Sequence, residues 1–493
     1  MSRLWIRKPI AALEAEARES HSGLKRTLGP WALVALGVGA IIGAGLFVRT
    51  AAAAANAAGP AVTLGFVVAA FGCAFAGLCY AELAAMLPIS GSAYTYTYAT
   101  LGELVAWIIG WDLTLEYALG AATVAIAWSE YLNKLLELVG TQVPYAWCHS
   151  PFQSDPVSHA HGLINLPALG ILVVLTLLLV RGIHESSLVN TVIVAVKLSI
   201  VVLIIGFGWS HMSPANHTPY IPAPSVYVDH QGIAHSFGGA LGILGAAGIV
   251  FFAFIGFDAV STAAQEAKNP KRDMPIGILG SLVVCTVLYV LFAHVLTGLE
   301  PVEFFRTAGS EASVVQAIQH AMPGYAWLSN LVIVAILGGF SSVILVLLMG
   351  QSRVFYAMSH DGLVPRAFSE LHPRYRSPYK SNLLFLMFVG AFAAFVPGDV
   401  AGDMTSIGTL FAFILVSLGV WILRVREPAL ARPFRVPAVP LVSSLGALVC
   451  GAMILGLGWL NWLRLGVWLL IGLAIYFGYG RRHSVVGRDA PRA

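Results

Sequence analysis

The sequence predicts an all-α membrane protein with twelve spanning helices, on three observations: its composition, the recurrence of apolar runs, and the one-sided placement of its basic residues. Hydrophobic residues fill 58% of the 493 positions and charged residues only 11%, against roughly 25% charged in a water-soluble domain. No soluble fold hides that much apolar surface behind so few charges. Length alone would suggest a few soluble domains. Because apolar segments recur along nearly the whole chain, one membrane-embedded unit accounts for it better.

A spanning helix needs about 20 mostly apolar residues. Runs of that kind lie at 31–55, 61–87, 101–128, 163–180, 188–209, 238–264, 276–299, 325–352, 382–397, 402–423, 437–457 and 462–479, the ninth being short. Pro30, Gly59, Pro60 and Pro88 punctuate the first boundaries, as expected where helices stop at turns. With the N-terminus inside, six Lys and Arg precede the first run and 1, 3, 5, 4 and 4 follow in later inner segments, 23 in all. Three fall outside, Lys134, Arg306 and Arg464. That asymmetry predicts cytoplasmic N- and C-termini. Arg3, Arg7 and Lys8 are followed by a charged, helix-prone stretch, Ala11 to Ser20, with no apolar signal core, so residues 1–30 are expected to stay attached as a cytoplasmic segment.

The remaining two basic residues, Arg49 and Lys197, sit within apolar runs. Cys73, Cys79, Cys148, Cys285 and Cys450 form no repeated pair spacing, so neither a disulfide framework nor a zinc site is expected. The basic loops around Lys268, Lys271, Arg272 and Asp273, and from Ser359 to Ser381, carry the inner-side charge bias and suit lipid headgroups rather than nucleic acid.

Lipid offers no partner to bare backbone, so irregular chain at membrane depth must line a protein-enclosed space. Two runs invite such irregularity. The first reads Gly37-Val38-Gly39-Ala40-Ile41-Ile42-Gly43-Ala44-Gly45-Leu46-Phe47, and the sixth reads Phe251-Phe252-Ala253-Phe254-Ile255-Gly256-Phe257-Asp258. They stand five helices apart in the order of runs. Interrupted helices at corresponding places in two halves point to an inverted repeat with a binding site at mid-membrane. Small residues that let helices pack closely would also explain one glycine-rich span, but not a second break that holds aromatics and an aspartate.

At these residues the chain resembles the amino acid, polyamine and organocation (APC) superfamily, and more narrowly its cationic amino acid transporter branch. Further matching stretches are Cys79-Tyr80-Ala81-Glu82-Leu83, Gly91-Ser92-Ala93-Tyr94-Thr95-Tyr96, Gly110-Trp111-Asp112-Leu113-Thr114-Leu115-Glu116-Tyr117, Asn269-Pro270-Lys271-Arg272-Asp273-Met274-Pro275 and Gln351-Ser352-Arg353-Val354-Phe355-Tyr356-Ala357-Met358. The resemblance implies a LeuT-like core of 5+5 inverted helices, residues 31–209 and 238–423, then two added helices over 437–479 and a cytoplasmic tail over 480–493. It also implies a plasma-membrane permease that moves amino acids by secondary transport, without a cofactor or ATP hydrolysis.

An α-amino acid presents a carboxylate and an ammonium, and broken helices can serve both. Amides at Gly43, Ala44 and Gly45, at the positive end of a resumed half-helix, suit the carboxylate. Carbonyls at Ile41 and from Ala253 to Ile255 suit the ammonium, with Gly256 at the second break. Phe252, Phe254 and Phe257 either wall the pocket or pack the core. Glu116 either meets a cationic substrate or is a structural acid, and Asp258 either contacts substrate or caps the resumed helix, with Ser261 or Thr262 nearby. Ser341 and Ser342 open the middle of the eighth run, where small side chains leave room for substrate.

Lys197 lies nine residues into the fifth run, about 13 Å inside the apolar core, too deep to reach either surface. A charged lysine there is costly unless partnered. In similar proton-coupled relatives a fifth-helix lysine takes the place of sodium, so Lys197 is the expected proton carrier. Arg49 either snorkels outward or pairs across an outer vestibule with Asp403 or Asp399, as an arginine at that offset does in sodium-coupled carriers of this fold. A proton symporter is the expected function; an exchanger without proton coupling and a non-transporting sensor are the alternatives. No metal-ligand cluster, phosphate loop or nucleophile triad is present in the sequence, and neither oligomeric state nor an accessory subunit can be read from it.

Overall fold

The computed structural model describes residues 5–9, 28–86, 92–155, 158–182, 187–228, 234–262, 264, 267–308 and 313–486. Arg3, Ala11 to Ser20, Pro88, Gly91 and residues 487–493 lie outside them. The principal helices are α1 (Pro30–Ile41), α2 (Val62–Met86), α3 (Glu103–Glu137), α4 (Leu166–Val180), α5 (Ser187–Trp209), α6 (Gly239–Phe251), α7 (Pro270–Leu299), α8 (Ala326–His360), α9 (Tyr379–Phe395), α10 (Gly398–Arg426), α11 (Val439–Gly456) and α12 (Trp459–Ile475). Among the described residues, eight helical stretches are long and apolar enough to cross a membrane, and four shorter apolar helices, α1, α4, α6 with the turn after it, and α9, lie between them. The protein is therefore an all-α, multi-pass membrane protein.

Local chemistry sets the helix ends. Pro30 opens α1 and Pro270 opens α7 at the first helical position, where a missing N–H costs nothing. The Asn165 side chain accepts from the Ala168 amide at 3.1 Å and caps α4. Asp273, in the first turn of α7, reaches back to the Asn269 amide at 3.0 Å. α1 and α6 are short for a different reason, because each ends inside the bundle.

α3 is the central post. It packs along α8 and α10, while α7 packs against α1 and α2. A band of ionic contacts closes the end of the bundle that carries the N-terminal segment. Lys8 bonds Asp361 at 2.6 Å with both side chains buried, and Tyr94 donates to the same carboxylate at 2.7 Å. Arg424 forks onto Glu82 at 2.9 and 2.6 Å, the bidentate geometry that makes an arginine–carboxylate pair strong. Glu103 accepts from Tyr98 and Tyr476, each at 2.9 Å.

The other end is covered by loops. A two-stranded antiparallel hairpin, β1 (Ser225–Val228) and β2 (Ala234–Phe237), pairs Ser225 with Phe237 and Val228 with Ala234. The Arg306 guanidinium lies 4.1 Å from the Tyr227 ring centre and 4.5 Å from that of Phe237. Its Nε donates to the Ala55 carbonyl at 3.0 Å. These contacts tie the hairpin and the short helix Val302–Ala308 to the chain just beyond the first break.

Candidate functional site

Both glycine-bearing runs are interrupted. α1 stops at Ile41, Ile42 is extended with ψ 104°, and helical chain resumes at Gly45 as a π-turn, Gly45–Arg49. α6 passes into a single tight turn, Phe252–Phe254, then Ile255 is extended with ψ 134° and Gly256 takes φ 113°. A short helix, Ala259–Thr262, follows. The φ at Gly256 belongs to glycine's territory, so the break there is written into the residue type.

The two breaks touch. A Cβ built on Gly45 would stand 2.2 Å from the Ala253 Cα, and one built on Gly256 would stand 2.9 Å from the Ala40 carbonyl oxygen. Backbone lies against backbone at both points, which only glycine permits. The amides of Gly43, Ala44 and Gly45 stand in the opening turn of the resumed helix, where N–H groups have no intrahelical acceptor. From α8, a Val343 methyl stands 3.3 Å from the position a Cβ would take on Gly43, and Ser342 is buried beside it. The Ser341 hydroxyl donates to the Leu337 carbonyl at 2.8 Å, within its own helix.

Lys197 joins this arrangement from α5. Its side chain is buried, and its ammonium donates to the carbonyls of Gly39 at 3.2 Å and Ile42 at 3.1 Å. Those carbonyls belong to the last turn of α1 and the residue after it, where intrahelical donors run out. On its other side Lys197 lies along α8: a Cβ on Gly339 would meet the Lys197 Cε at 2.7 Å.

Two carbonyls assigned to a substrate ammonium already have a donor. The Tyr289 hydroxyl on α7 lies 3.0 Å from the Ile41 carbonyl and 2.9 Å from that of Ala253. Sequence reasoning passed over Tyr289. A phenol within the mostly apolar stretch Leu282 to Ala293 is a weak signal, since a buried hydroxyl needs a partner.

Glu116 and Asp112, one turn apart on α3, are 1% exposed, as is Asp258. Glu116 lies within electrostatic reach of the other two and beside Thr409 of α10. The Tyr117 hydroxyl donates to Asp258 at 3.1 Å. Asp258 directly precedes the helix Ala259–Thr262, and its carbonyl accepts from the Ser261 amide at 2.8 Å. Of the aromatics at the second break, Phe254 packs against Phe66 and Tyr289, with ring centres 6.2 and 5.4 Å apart, and Phe257 packs against Tyr80 and Phe413 at 5.7 and 5.0 Å. Those two rings are core packing.

One turn beyond the first break, Arg49 is buried and bonds the Asp403 carboxylate of α10. Its second amino group approaches the Asp399 backbone carbonyl at 3.4 Å. A Cβ on Gly402 would stand 3.1 Å from the Arg49 Cζ, so α10 gives way where the guanidinium crosses it. The contacts continue through Asn461, which reaches Asp403 at 3.4 Å and accepts from Arg464 at 2.7 Å.

The profile that defines the family described as amino acid permease matches residues 28–476. The chain is 44% identical over 481 residues to the branched-chain amino acid permease BcaP of Bacillus subtilis (strain 168), covering 98% of each. It is 37% identical over 489 residues to the methylthioribose transporter of the same organism, covering 99% of this chain and all of that one. To the vacuolar cationic amino acid transporter 4 of Arabidopsis thaliana it is 33% identical over 445 residues, 90% of this chain and 69% of the other.

Proposed function

The chain belongs to the amino acid permease family, and from that premise we propose that it imports aliphatic, branched-chain amino acids with protons across the plasma membrane, both termini facing the cytoplasm. Family membership makes it a transporter rather than an enzyme. The observation that carries the finer reading is the contact of the two backbone breaks, one of which holds the Lys197 ammonium on its carbonyls. The amides of Gly43 to Gly45 take the substrate carboxylate, and carbonyls of both breaks take its ammonium. At the first break the side chain nearest Gly43 is the apolar Val343. The name of the 44%-identical relative points the same way.

In the proposed cycle one helical bundle moves against the other around this site. Lys197 takes up a proton from outside, its ammonium braces the break while substrate binds, and both are released inward. When the lysine is neutral its hold on the Gly39 and Ile42 carbonyls weakens, which couples proton release to opening. Arg49 and Asp403 close the outer side. We expect Asp403→Ala to raise the passive leak of amino acid from loaded proteoliposomes. Asp399→Ala is expected to do less, because Arg49 contacts Asp399 through its main chain. Unchanged leak and uptake in both variants would remove the outer closure from the cycle.

A second reading, import of cationic amino acids, draws on the three buried carboxyls Asp112, Glu116 and Asp258 and on relatives named as cationic amino acid transporters. Uptake by purified protein in proteoliposomes separates the two. Leucine, isoleucine and valine should accumulate under an inward proton gradient and compete with one another, with arginine a poor competitor. Arginine uptake that branched-chain amino acids leave untouched would select the cationic reading. Flux that needs a counter-substrate and ignores pH would select an exchanger.

A further inference from the structure

The Tyr289 hydroxyl reaches one carbonyl from each break, Ile41 at 3.0 Å and Ala253 at 2.9 Å, from a side chain that is wholly buried. A phenol carries one proton, so it donates to one of the two at a time. Its ring is fixed between Phe66 and Phe254, with centres 5.5 and 5.4 Å away, and Cys285, one turn earlier on α7, sits against the same hydroxyl. The oxygen therefore cannot swing away to another partner without moving the aromatic cluster. Lys197 serves a different pair of carbonyls, Gly39 and Ile42, so it does not duplicate this contact.

We propose that Tyr289 is a positioning residue that stands in for the substrate ammonium between substrates, holding the two breaks together until an amino acid takes over its two acceptors. The inference rests on the permease reading above and deepens it. An incoming ammonium brings three donors. With substrate bound, those donors suffice for both carbonyls and the phenol is dispensable. With the site empty, the single phenolic proton alternates between them, and neither break is left bare for long. Without the hydroxyl, two carbonyl dipoles from opposite breaks face one another in a site closed to water, and only substrate can relieve them.

This division of labour predicts a split between two fluxes. Net uptake requires the empty carrier to return, whereas counterflow exchange between substrate pools on either side uses only the loaded carrier. Tyr289→Phe should lower net uptake of labelled leucine into proteoliposomes by about tenfold, the factor one neutral hydrogen bond supports, while counterflow in vesicles preloaded with leucine is retained. Retained counterflow also certifies that the variant is folded. Tyr289→Met is made in parallel, so that the comparison does not hang on one variant.

Equal loss of both fluxes, or loss of neither, would overturn the proposal. Failure of both variants to fold would make the hydroxyl a folding determinant and overturn it as well. The permease reading fails separately, if the unaltered protein moves no amino acid in either assay.

Discussion

Replacing Lys197 with alanine is expected to abolish accumulation of amino acid under a proton gradient while leaving the protein folded. The ammonium donates to the Gly39 and Ile42 carbonyls at 3.2 and 3.1 Å in a buried setting. Removing it leaves two main-chain acceptors without that donor, each costing about 1–3 kcal/mol when buried and unsatisfied. A penalty of that size falls on the conformations in which water cannot reach the break. Uptake driven by a pH gradient should drop to the level of passive leak, and whatever flux remains should no longer respond to pH. Arginine is not expected to rescue the function, because a guanidinium does not give up its proton. Space forbids it too, since Gly339 is already moulded to the lysine stem. Full accumulation by Lys197→Ala would refute the assignment of the proton to this residue.

The second large effect is expected at Gly45. A methyl there would stand 2.2 Å from the Ala253 Cα, and backbone cannot rotate out of the way as a side chain can. Overpacking of an ordinary core costs about 1–3 kcal/mol, and the contact at Gly45 lies at the stiff end of that range because main chain meets main chain. Gly45→Ala should therefore push the breaks apart, lower thermal stability and eliminate uptake. Gly170→Ala on α4 is the control, since a methyl at that position meets nothing within 4 Å. A Gly45→Ala protein that transports as well as the unaltered one would show that the breaks are not in contact during the cycle.

Much of the fold is legible in the sequence because a membrane imposes simple rules. Apolar runs such as 276–299 and 402–423 fall within α7 and α10, since a spanning helix must be continuous and apolar. The glycines at 43, 45 and 256 located both interruptions, because glycine at membrane depth weakens a helix and admits backbone contact. Extended loops were less legible. The hairpin of β1 and β2 pairs locally, but its docking depends on Arg306, some 70 to 80 positions away, and no local pattern announces that contact.

Within the site, residues whose chemistry is out of place in lipid were the readable ones. Lys197, Arg49 and Asp403 are charged where charge is costly, so each demanded a partner, and the contact of Arg49 with Asp403 follows from that demand. Tyr289, Val343 and Gly339 were not readable. A valine and a glycine are unremarkable in a spanning helix and a lone tyrosine names no partner, so their roles appear only where α7 and α8 lie against the breaks. Phe254 and Phe257, whose residue type suits either a pocket wall or the core, pack on Phe66, Tyr80 and Phe413.

The most direct measurement is an experimental density map of the purified protein with leucine bound. The expected seating puts the carboxylate within hydrogen-bonding distance of the amides of Gly43 to Gly45 and the ammonium on carbonyls of the Ile41 and Ala253 turns. Leucine seated away from both turns, or a first helix running unbroken through Gly43, would contradict it.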